Sequence, residues 1–431
     1  LDAAAPAELW PSLRRLGFRF AFIYFGIYIV TTQMFWGGLA PMAEWEPLNM
    51  LPPFRQAITW VARHLLGITE PLVIEGSGSG DKVFDWAHVC LLLGIAVFGT
   101  AIWTLFDRKR VSYSVVEDWF RLAVRLALGT TMLSYGVSKA VPLQMGYGPS
   151  LTRLVEPFGN FSPMGVLWAS MGSSPAYQSF TGCTEILGGV LLLLPQTALL
   201  GALVSLGVAT QIFVLNMTYD VPVKLFSFHL ILLALLLILP ERIRLRNFFL
   251  LNRATNPAGA SVPRSRRKSR LILAAQVCFA IYVTTAMAYG AKEGWTAYGG
   301  GAPKSLLYGI WEVEQMSVDE QSRPPLLLDD QRWRRLIFDR GNRAVFQGMN
   351  DSLATFNAKI DPGKKTIDLT KNDDPNWKAT LAYDRPANGR LMLSGDMDGH
   401  RVGMELRALD RETFLLVNRG FHWVQERPFN R

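Results

Sequence analysis

Three cysteines in 431 residues exclude a disulfide framework, and their placement excludes more. Cys90, Cys183 and Cys278 stand singly in three different apolar runs, with no Cys-x-x-Cys redox pair and no haem-attachment motif. Cys183, two residues before Glu185, reads as a small buried hydrophobe rather than a redox thiol. Histidine is also scarce, with five residues in all. Only His400 and His422 fall in the C-terminal region, too few for a zinc site. No nucleophile–base pair, metal-ligand cluster or nucleotide fingerprint is visible. The run Gly76-Ser-Gly-Ser-Gly80 lacks the strand, helix and Lys context of a phosphate cradle and reads as a flexible return. The sequence therefore names no enzymatic activity of its own.

The most consequential absence is of charge. Between Glu156 and Asp220 the only formal charge is Glu185, near the middle of an apolar run from about Ala176 to Leu194. A carboxylate at the centre of a bilayer costs roughly 2.5–3.5 kcal/mol on insertion scales, so it is retained with a partner, a proton or a function.

Half of the residues are apolar and the mean hydropathy is positive, as in a membrane protein. Runs long enough to cross about 30 Å of hydrocarbon lie at about 17–37, 84–106, 118–140, 176–194, 198–217, 222–240 and 271–291. They predict seven spans. Span one follows basic residues without a small-x-small cleavage site and reads as uncleaved.

The net charge of +9 is not a nucleic-acid signal. From Glu293 onward 20 basic residues balance 20 acidic ones, so the excess lies in the membrane part. It gathers in alternate loops: Arg14, Arg15 and Arg19; Arg108, Lys109 and Arg110; then Arg242, Arg244, Arg246, Arg253 and the Arg264–Arg270 cluster. Short loops rich in Lys and Arg stay cytoplasmic. This predicts an inner-membrane protein with its N-terminus inside and its C-terminal domain outside, and no nucleic-acid partner.

After span one, Pro52–Leu66 has Phe54, Ile58, Val61 and Leu65 at helical spacing, which suits a helix in the headgroup plane. The loop 141–175 is rich in Pro and Gly. Its piece Ser162–Met171 is too short to span and predicts a re-entrant or surface helix capping the bundle. Lys139, near the outer end of span three, can snorkel outward or fold back. Arg121 reads as snorkelling, whereas Arg125 lies deeper. Lys139, Glu185, Gln211, Asn216 and His229 all fall in the outer half of their spans, with Tyr135 one turn from Lys139. These depths suggest one polar pocket.

Arg125-x3-Gly129-x6-Gly136-x2-Lys139, Glu185-x2-Gly188-Gly189 and the polar-ended spans with His229 resemble the DoxX-like membrane protein family. The resemblance covers roughly 115–245 and implies a four-helix core and a link to quinone-coupled oxidoreductase complexes, such as thiosulfate:quinone oxidoreductase. Spans one, two and seven and the C-terminal domain depart from that compact pattern. A pocket holding Glu185, His229 and Lys139 suits a quinone headgroup, with imidazole or ammonium donating to a carbonyl and the carboxylate taking a proton. Two alternatives stand beside it: a pair of Glu185 with Lys139 or Arg125 that fixes helix packing, and a proton or solute path. A bis-His haem on His88 and His229 is disfavoured, because lone membrane histidines usually hydrogen-bond a neighbour.

From Leu306 the pattern alternates: Tyr308–Gln315, Trp333–Asp339, Ala344–Met349, Leu353–Ile360, Thr366–Thr370, Trp377–Tyr383, Arg390–Ser394, Arg401–Leu409, Phe414–Asn418 and Phe421–Gln425. Asp361-Pro-Gly, Asn388-Gly and Asp398-Gly mark turns, so eight to ten antiparallel strands predict an up-and-down barrel or a strongly curved sheet. Gly309-x-Trp311 early and Arg419 late resemble the lipocalin and fatty-acid-binding (calycin) superfamily, in which a cation covers the first-strand Trp and closes the barrel. His422 and Glu426 would share one strand face as a candidate surface site.

The expected architecture is thus a polytopic α-helical membrane protein with a soluble C-terminal β-barrel. Residues 1–113 hold two spans and an outer loop, 114–245 the DoxX-like core, 246–270 a basic cytoplasmic loop, 271–292 the seventh span and 300–431 the barrel. The expected role is a membrane subunit or accessory factor in quinone-linked chemistry, with the bilayer, quinone and other redox subunits as partners. The runner-up is a non-catalytic scaffold or lipid- or solute-binding protein that uses its barrel.

Overall fold

The structure, a computed structural model, describes residues 9–34, 37, 47–255, 266–371, 374, 376–430, without the side chains of 266–268. Phe35 and Trp36 of span one, and Arg264 and the side chains of Arg266, Arg267 and Lys268 of the basic cluster, lie outside the described residues. The chain forms two compact units, Leu1–Val141 with Ser179–Lys292 and Pro142–Gln178 with Glu293–Arg431.

The first unit is helical. Its principal helices are α1 (Ser12–Thr31), α2 (Pro52–His64), α3 (Val83–Phe106) and α4 (Ser114–Ala140). After the short helices α5 (Leu151–Val155) and α6 (Pro163–Ser173), which belong to the second unit, come α7 (Pro175–Leu193), α8 (Ala198–Thr218), α9 (Lys224–Ile238) and α10 (Arg266–Ala297).

Among the described residues, four helical stretches are long and apolar enough to cross a bilayer: Val83–Phe106, Ala198–Thr218, Lys224–Leu250 and Ser269–Ala297. Helices α1, α4 and α7 are of similar length but carry more polar residues. On α3, Val97, Phe98, Ile102, Leu105 and Phe106 are all exposed. A contiguous apolar surface of this kind is a membrane signature rather than an ordinary soluble surface.

Helix α2 lies with Ile58, Val61 and Ala62 against Phe84 and Ala87 of α3, while Leu65, expected on the same apolar face, is exposed. The glycine-rich return that follows is anchored at its end: Gly80 N–H donates to Pro222 O at 2.8 Å, and the Asp81 carboxylate accepts from Lys224 and Leu225 N–H, each at 2.8 Å. Those are first-turn N–H groups of α9, which no carbonyl of its own helix can satisfy.

Glycine sets the closest helix contact. Gly129 and Gly136 of α4 are seven residues apart, as are Gly182 and Gly189 of α7, so each pair lies on one helical face. A Cβ on Gly136 would strike Gly182 O, and one on Gly189 would strike Gly129 O. The two backbones therefore touch, antiparallel, along a stripe that only small residues permit.

The second unit is a closed barrel of eight antiparallel strands, with one further two-residue strand, Gln321–Ser322, paired to the end of the first. The strands are β1 (Gly309–Val318), β2 (Trp333–Phe338), β3 (Arg343–Gly348), β4 (Leu353–Asp361), β5 (Thr366–Thr370), β6 (Lys378–Asp384), β7 (Arg390–Met397) and β8 (His400–Leu409). Each pairs with the next, and β1 pairs with β8 from Ile310↔Leu409 to Val318↔Val402. The Asp398–Gly399 turn has both residues at positive φ, 54° and 82°, as a two-residue hairpin with the right twist requires.

Strand alternation turns one face inward. Trp311, Leu336, Phe346, Ile367, Leu381, Leu393 and Met404 are among the residues of a continuous apolar core. Rings of Trp333, Phe346, Phe356 and Trp377 stack in series at 3.7, 4.3 and 4.6 Å between centroids.

Of the loop expected at 141–175, the part around α5 packs on the barrel, and the piece Ser162–Met171, expected to cap the helical bundle, belongs to the second unit. Leu151 of α5 is buried with Ile310, Ile337 and Val345, which point to the opposite face from the core residues beside them in β1, β2 and β3. Gln347 Nε2 donates to Val155 O at 3.0 Å, and Arg335 donates to Gln347 Oε1 at 3.0 Å. This docking explains why β2 and β3 carry consecutive buried residues instead of alternating ones.

The two last expected strands are not formed. Residues 415–418 make one helical turn, and 421–425 are irregular with Phe421 and Trp423 exposed. The ladder is already complete at β8, so no strand edge remains for them.

A methyl group at Gly182 must separate α4 from α7, so Gly182→Ala is expected to cost about 1–3 kcal/mol in denaturant unfolding in micelles. Gly26→Ala on α1, where nothing lies within 4 Å, is expected to be neutral or stabilising by up to about 1 kcal/mol.

Candidate functional site

The glycine contact sets the register of a buried ion pair. Lys139 stands three residues after Gly136 and Glu185 three after Gly182, so contact between the glycines brings the side chains together. Lys139 Nζ lies 2.7 Å from Glu185 Oε1, with the side chains 8% and 2% exposed. Lys139 thus folds back and does not snorkel. The other carboxylate oxygen, Oε2, is buried and accepts no hydrogen bond. A buried carboxylate oxygen without a donor is costly, and such exceptions concentrate where a ligand, water or proton completes the set.

Tyr135 belongs to the same cluster. Its ring lies 5.6 Å from Lys139 Nζ, and its hydroxyl accepts from Gln33 Nε2 at 2.9 Å. Helices α4 and α7 and the chain just beyond α1 therefore meet around Glu185.

His229 occupies an adjacent cluster rather than touching Glu185. Nδ1 lies 2.7 Å from Leu225 O, a carbonyl, so the hydrogen-bond network assigns the ring proton there. Nε2 is then the acceptor for the Tyr24 hydroxyl at 2.8 Å. Tyr28 stacks on the imidazole with centroids 4.0 Å apart and planes at 7°. Both ring nitrogens are engaged, which leaves His229 no free lone pair for a haem iron. His88 Nε2 lies 3.1 Å from Thr31 Oγ1.

The remaining expected pocket residues lie elsewhere. Asn216 donates to Ser227 Oγ at 3.1 Å and Val223 O at 3.3 Å, holding the α8–α9 turn. Gln211 is exposed, because its position on α8 faces away from the neighbouring helices. Arg125 donates to the Gln276 side chain of α10, so it is no partner of Glu185. Cys183 is exposed, which corrects its reading as a buried hydrophobe: residue 182 faces α4, and the next position turns outward. Tyr24, Tyr28 and Gln33 were missed because aromatic and amide residues within an apolar run carry no periodic signal. Gly182 was missed too, although its seven-residue spacing from Gly189 carried the signal.

Arg19, Arg121 and Arg244 each have partners within the helical unit. Arg19 is buried and donates to the Tyr113 hydroxyl at 2.6 and 2.9 Å, Thr104 Oγ1 at 2.7 Å and Asp107 O at 2.9 Å. Arg121 lies 3.6 Å from Glu241, which also pairs with Arg244.

In the barrel, Trp311 is buried, but the cation near its ring is Arg385 at 6.0 Å, while Arg419 lies over Phe429 at 4.7 Å. This corrects the expected Trp311–Arg419 closure: closure is made by the β1–β8 ladder, and Arg419 comes ten residues after β8 ends. His422 contacts Arg419, and neither it nor Glu426 is on a strand, so no shared strand face exists. A different exposed pair was unforeseen. His400 Nδ1 lies 2.8 Å from Asp319 Oδ2, and Arg401 N–H donates to Asp319 Oδ1 at 2.9 Å. These hydrogen bonds, His400 first, hold the Asp319 carboxyl below its usual range.

Over 142 residues the chain is 32% identical to the uncharacterized protein YwoB of Bacillus subtilis (strain 168), a match covering 33% of this chain and 86% of YwoB. Over that third of its length the chain belongs to the YwoB family. YwoB is itself uncharacterized, so the kinship carries no substrate or activity. No family model matches the chain. No solved structure matches it either.

Removing one partner of the Glu185–Lys139 pair leaves the other uncompensated, so Lys139→Met is expected to lower stability by about 3–5 kcal/mol. Adding Glu185→Leu to Lys139→Met is expected to recover most of that loss in the same unfolding assay. For Asp319 the depressed folded value means that its stabilising contribution is present above the ordinary aspartate range and is lost as pH falls through the lower folded value. A carboxyl NMR titration is expected to show a midpoint below that of a model aspartate, moving up in His400→Ala.

Proposed function

We propose that this chain is a bacterial inner-membrane protein in which all seven long helices, α1, α3, α4 and α7 to α10, cross the bilayer, with the N-terminus cytoplasmic and the barrel outside. The four helices α4, α7, α8 and α9 form a DoxX-like core, and the barrel is calycin-type. In this reading the protein is a membrane subunit or accessory factor of a quinone-linked oxidoreductase system.

The observation that carries the reading is the open valence of Glu185. Oε1 is held by Lys139 at 2.7 Å, whereas Oε2 is buried and empty of donors. A quinone headgroup suits such a place: the ammonium donates to a carbonyl oxygen, and Oε2 receives the hydroxyl proton of the reduced form. The stacked Tyr28–His229 rings supply a flat apolar wall next to this cluster. A ring-shaped ligand with polar edges needs both features.

A second reading has its own support. The glycine stripe between α4 and α7 and the apolar core of the barrel are what a non-catalytic scaffold would have, with the ion pair serving only to fix helix register.

The two part on one measurement. Protein purified with native lipids is expected to yield quinone on solvent extraction, with occupancy reduced at least several-fold in Glu185→Gln and in His229→Ala while both variants remain folded. Wild-type protein that never carries quinone, in membranes rich in it, would leave the scaffold as the surviving reading.

A further inference from the structure

A cavity of about 1070 Å³ lies within the helical unit, among α4, α8, α10 and the chain that follows α9. It uses none of the residues of the Glu185 cluster. Its volume is just above the roughly 300–1,000 Å³ usual for ligand pockets.

The lining has two chemistries. Arg121, Arg125, Arg244 and Arg270 face Asp118 and Glu241, leaving two positive charges in excess. Glu241 is shared by Arg121 and Arg244. The Nε atoms of Arg125 and Arg244 are buried with no hydrogen-bond partner. Against this polar wall stand Leu199, Leu203, Leu237, Phe248 and Ile272.

We propose that this cavity binds an anionic phospholipid, with the headgroup phosphate on the arginines and an acyl chain along the leucine wall. Excess guanidinium selects a phosphate, since the planar fork of Arg matches its oxygens. The apolar side selects a phosphate attached to hydrocarbon over a free ion. The cavity borders three of the four helical stretches apolar enough to cross a bilayer, and basic pockets between such helices are the usual seat of anionic headgroups. The inference rests on the membrane reading above and is independent of quinone.

The test uses the full chain in nanodiscs containing phosphatidylglycerol and phosphatidylcholine of identical acyl chains, with retained lipid counted by native mass spectrometry after release. Phosphatidylglycerol is expected to be enriched roughly tenfold over the bulk ratio and to return to that ratio in Arg125→Gln/Arg270→Gln. Leu203→Trp, which keeps every arginine and blocks the apolar wall, is expected to lose the lipid as well, and it keeps the test open if the double variant misfolds. Equal retention of the two lipids by wild type, or enrichment untouched by either variant, overturns the proposal. Displacement of the lipid by millimolar inorganic phosphate would assign the cavity to the free ion and overturn it too. A chain that enters no nanodisc sinks the membrane reading along with it.

Discussion

Contact between two helix backbones governs the helical unit, because it brings together two buried charges that compensate each other. Lys139 and Glu185 each lose most of their hydration, a cost of several kcal/mol per ion, and their attraction offsets it only at short range and good geometry. The 2.7 Å separation follows from Gly136 and Gly182 lying against each other's backbone. An ordinary side chain at either glycine would push the helices apart and separate the two ions. Packing is therefore the precondition of any chemistry at Glu185, and the pair is better regarded as a consequence of the stripe than as its cause.

The same contact organises the path of the chain. After Val141 the polypeptide leaves the helical unit, contributes residues 142–178 to the barrel unit and returns at Ser179. Lys139 and Glu185 stand on either side of that excursion. Closing a long loop costs entropy that grows only slowly with its length, so a glycine stripe and one ion pair at its base suffice to hold the two ends. The excursion in turn covers the outer wall of β1 to β3, where Leu151 is buried against Ile310, Ile337 and Val345. A soluble barrel alternates apolar and polar residues. Here the exceptions to alternation record where another segment docks.

Much of this was written in the sequence in a form that local rules can read. Eight strands follow from alternation and from turn residues such as Asp398-Gly399, because both signals act over a few residues. The apolar helices follow from hydropathy for the same reason. Two C-terminal strands were overread, since Phe414–Asn418 and Phe421–Gln425 have strand-like composition but no partner edge once β8 meets β1. Glu185 was legible as an isolated charge, and Lys139 as a charge at compatible depth. Depth alone does not fix azimuth: Gln211 and Asn216 share the expected level with Glu185, yet one faces outward and the other ties a turn. Rotation about a helix axis is set by the packing of neighbours, and in an almost uniformly apolar helix such as α8 the sequence gives rotation little to register. Arg385 near Trp311 is a long-range outcome of barrel closure that no single strand encodes.

Charge balance separates the two candidate sites of the helical unit. At Glu185 the pair is neutral as a whole and the unused valence is an acceptor, so an incoming group must bring a donor and no net charge. In the arginine-lined cavity the excess charge is positive, so the occupant must bring negative charge. A neutral quinone headgroup fits the first requirement in its reduced form and fails the second, and a phosphate does the reverse. Low dielectric sharpens the preference at Glu185, because a mismatched charge beside that buried pair finds no water to screen it. One ligand moving between the sites would have to change its charge on the way. The two sites are thus chemically distinct, and occupancy of one carries no implication for the other.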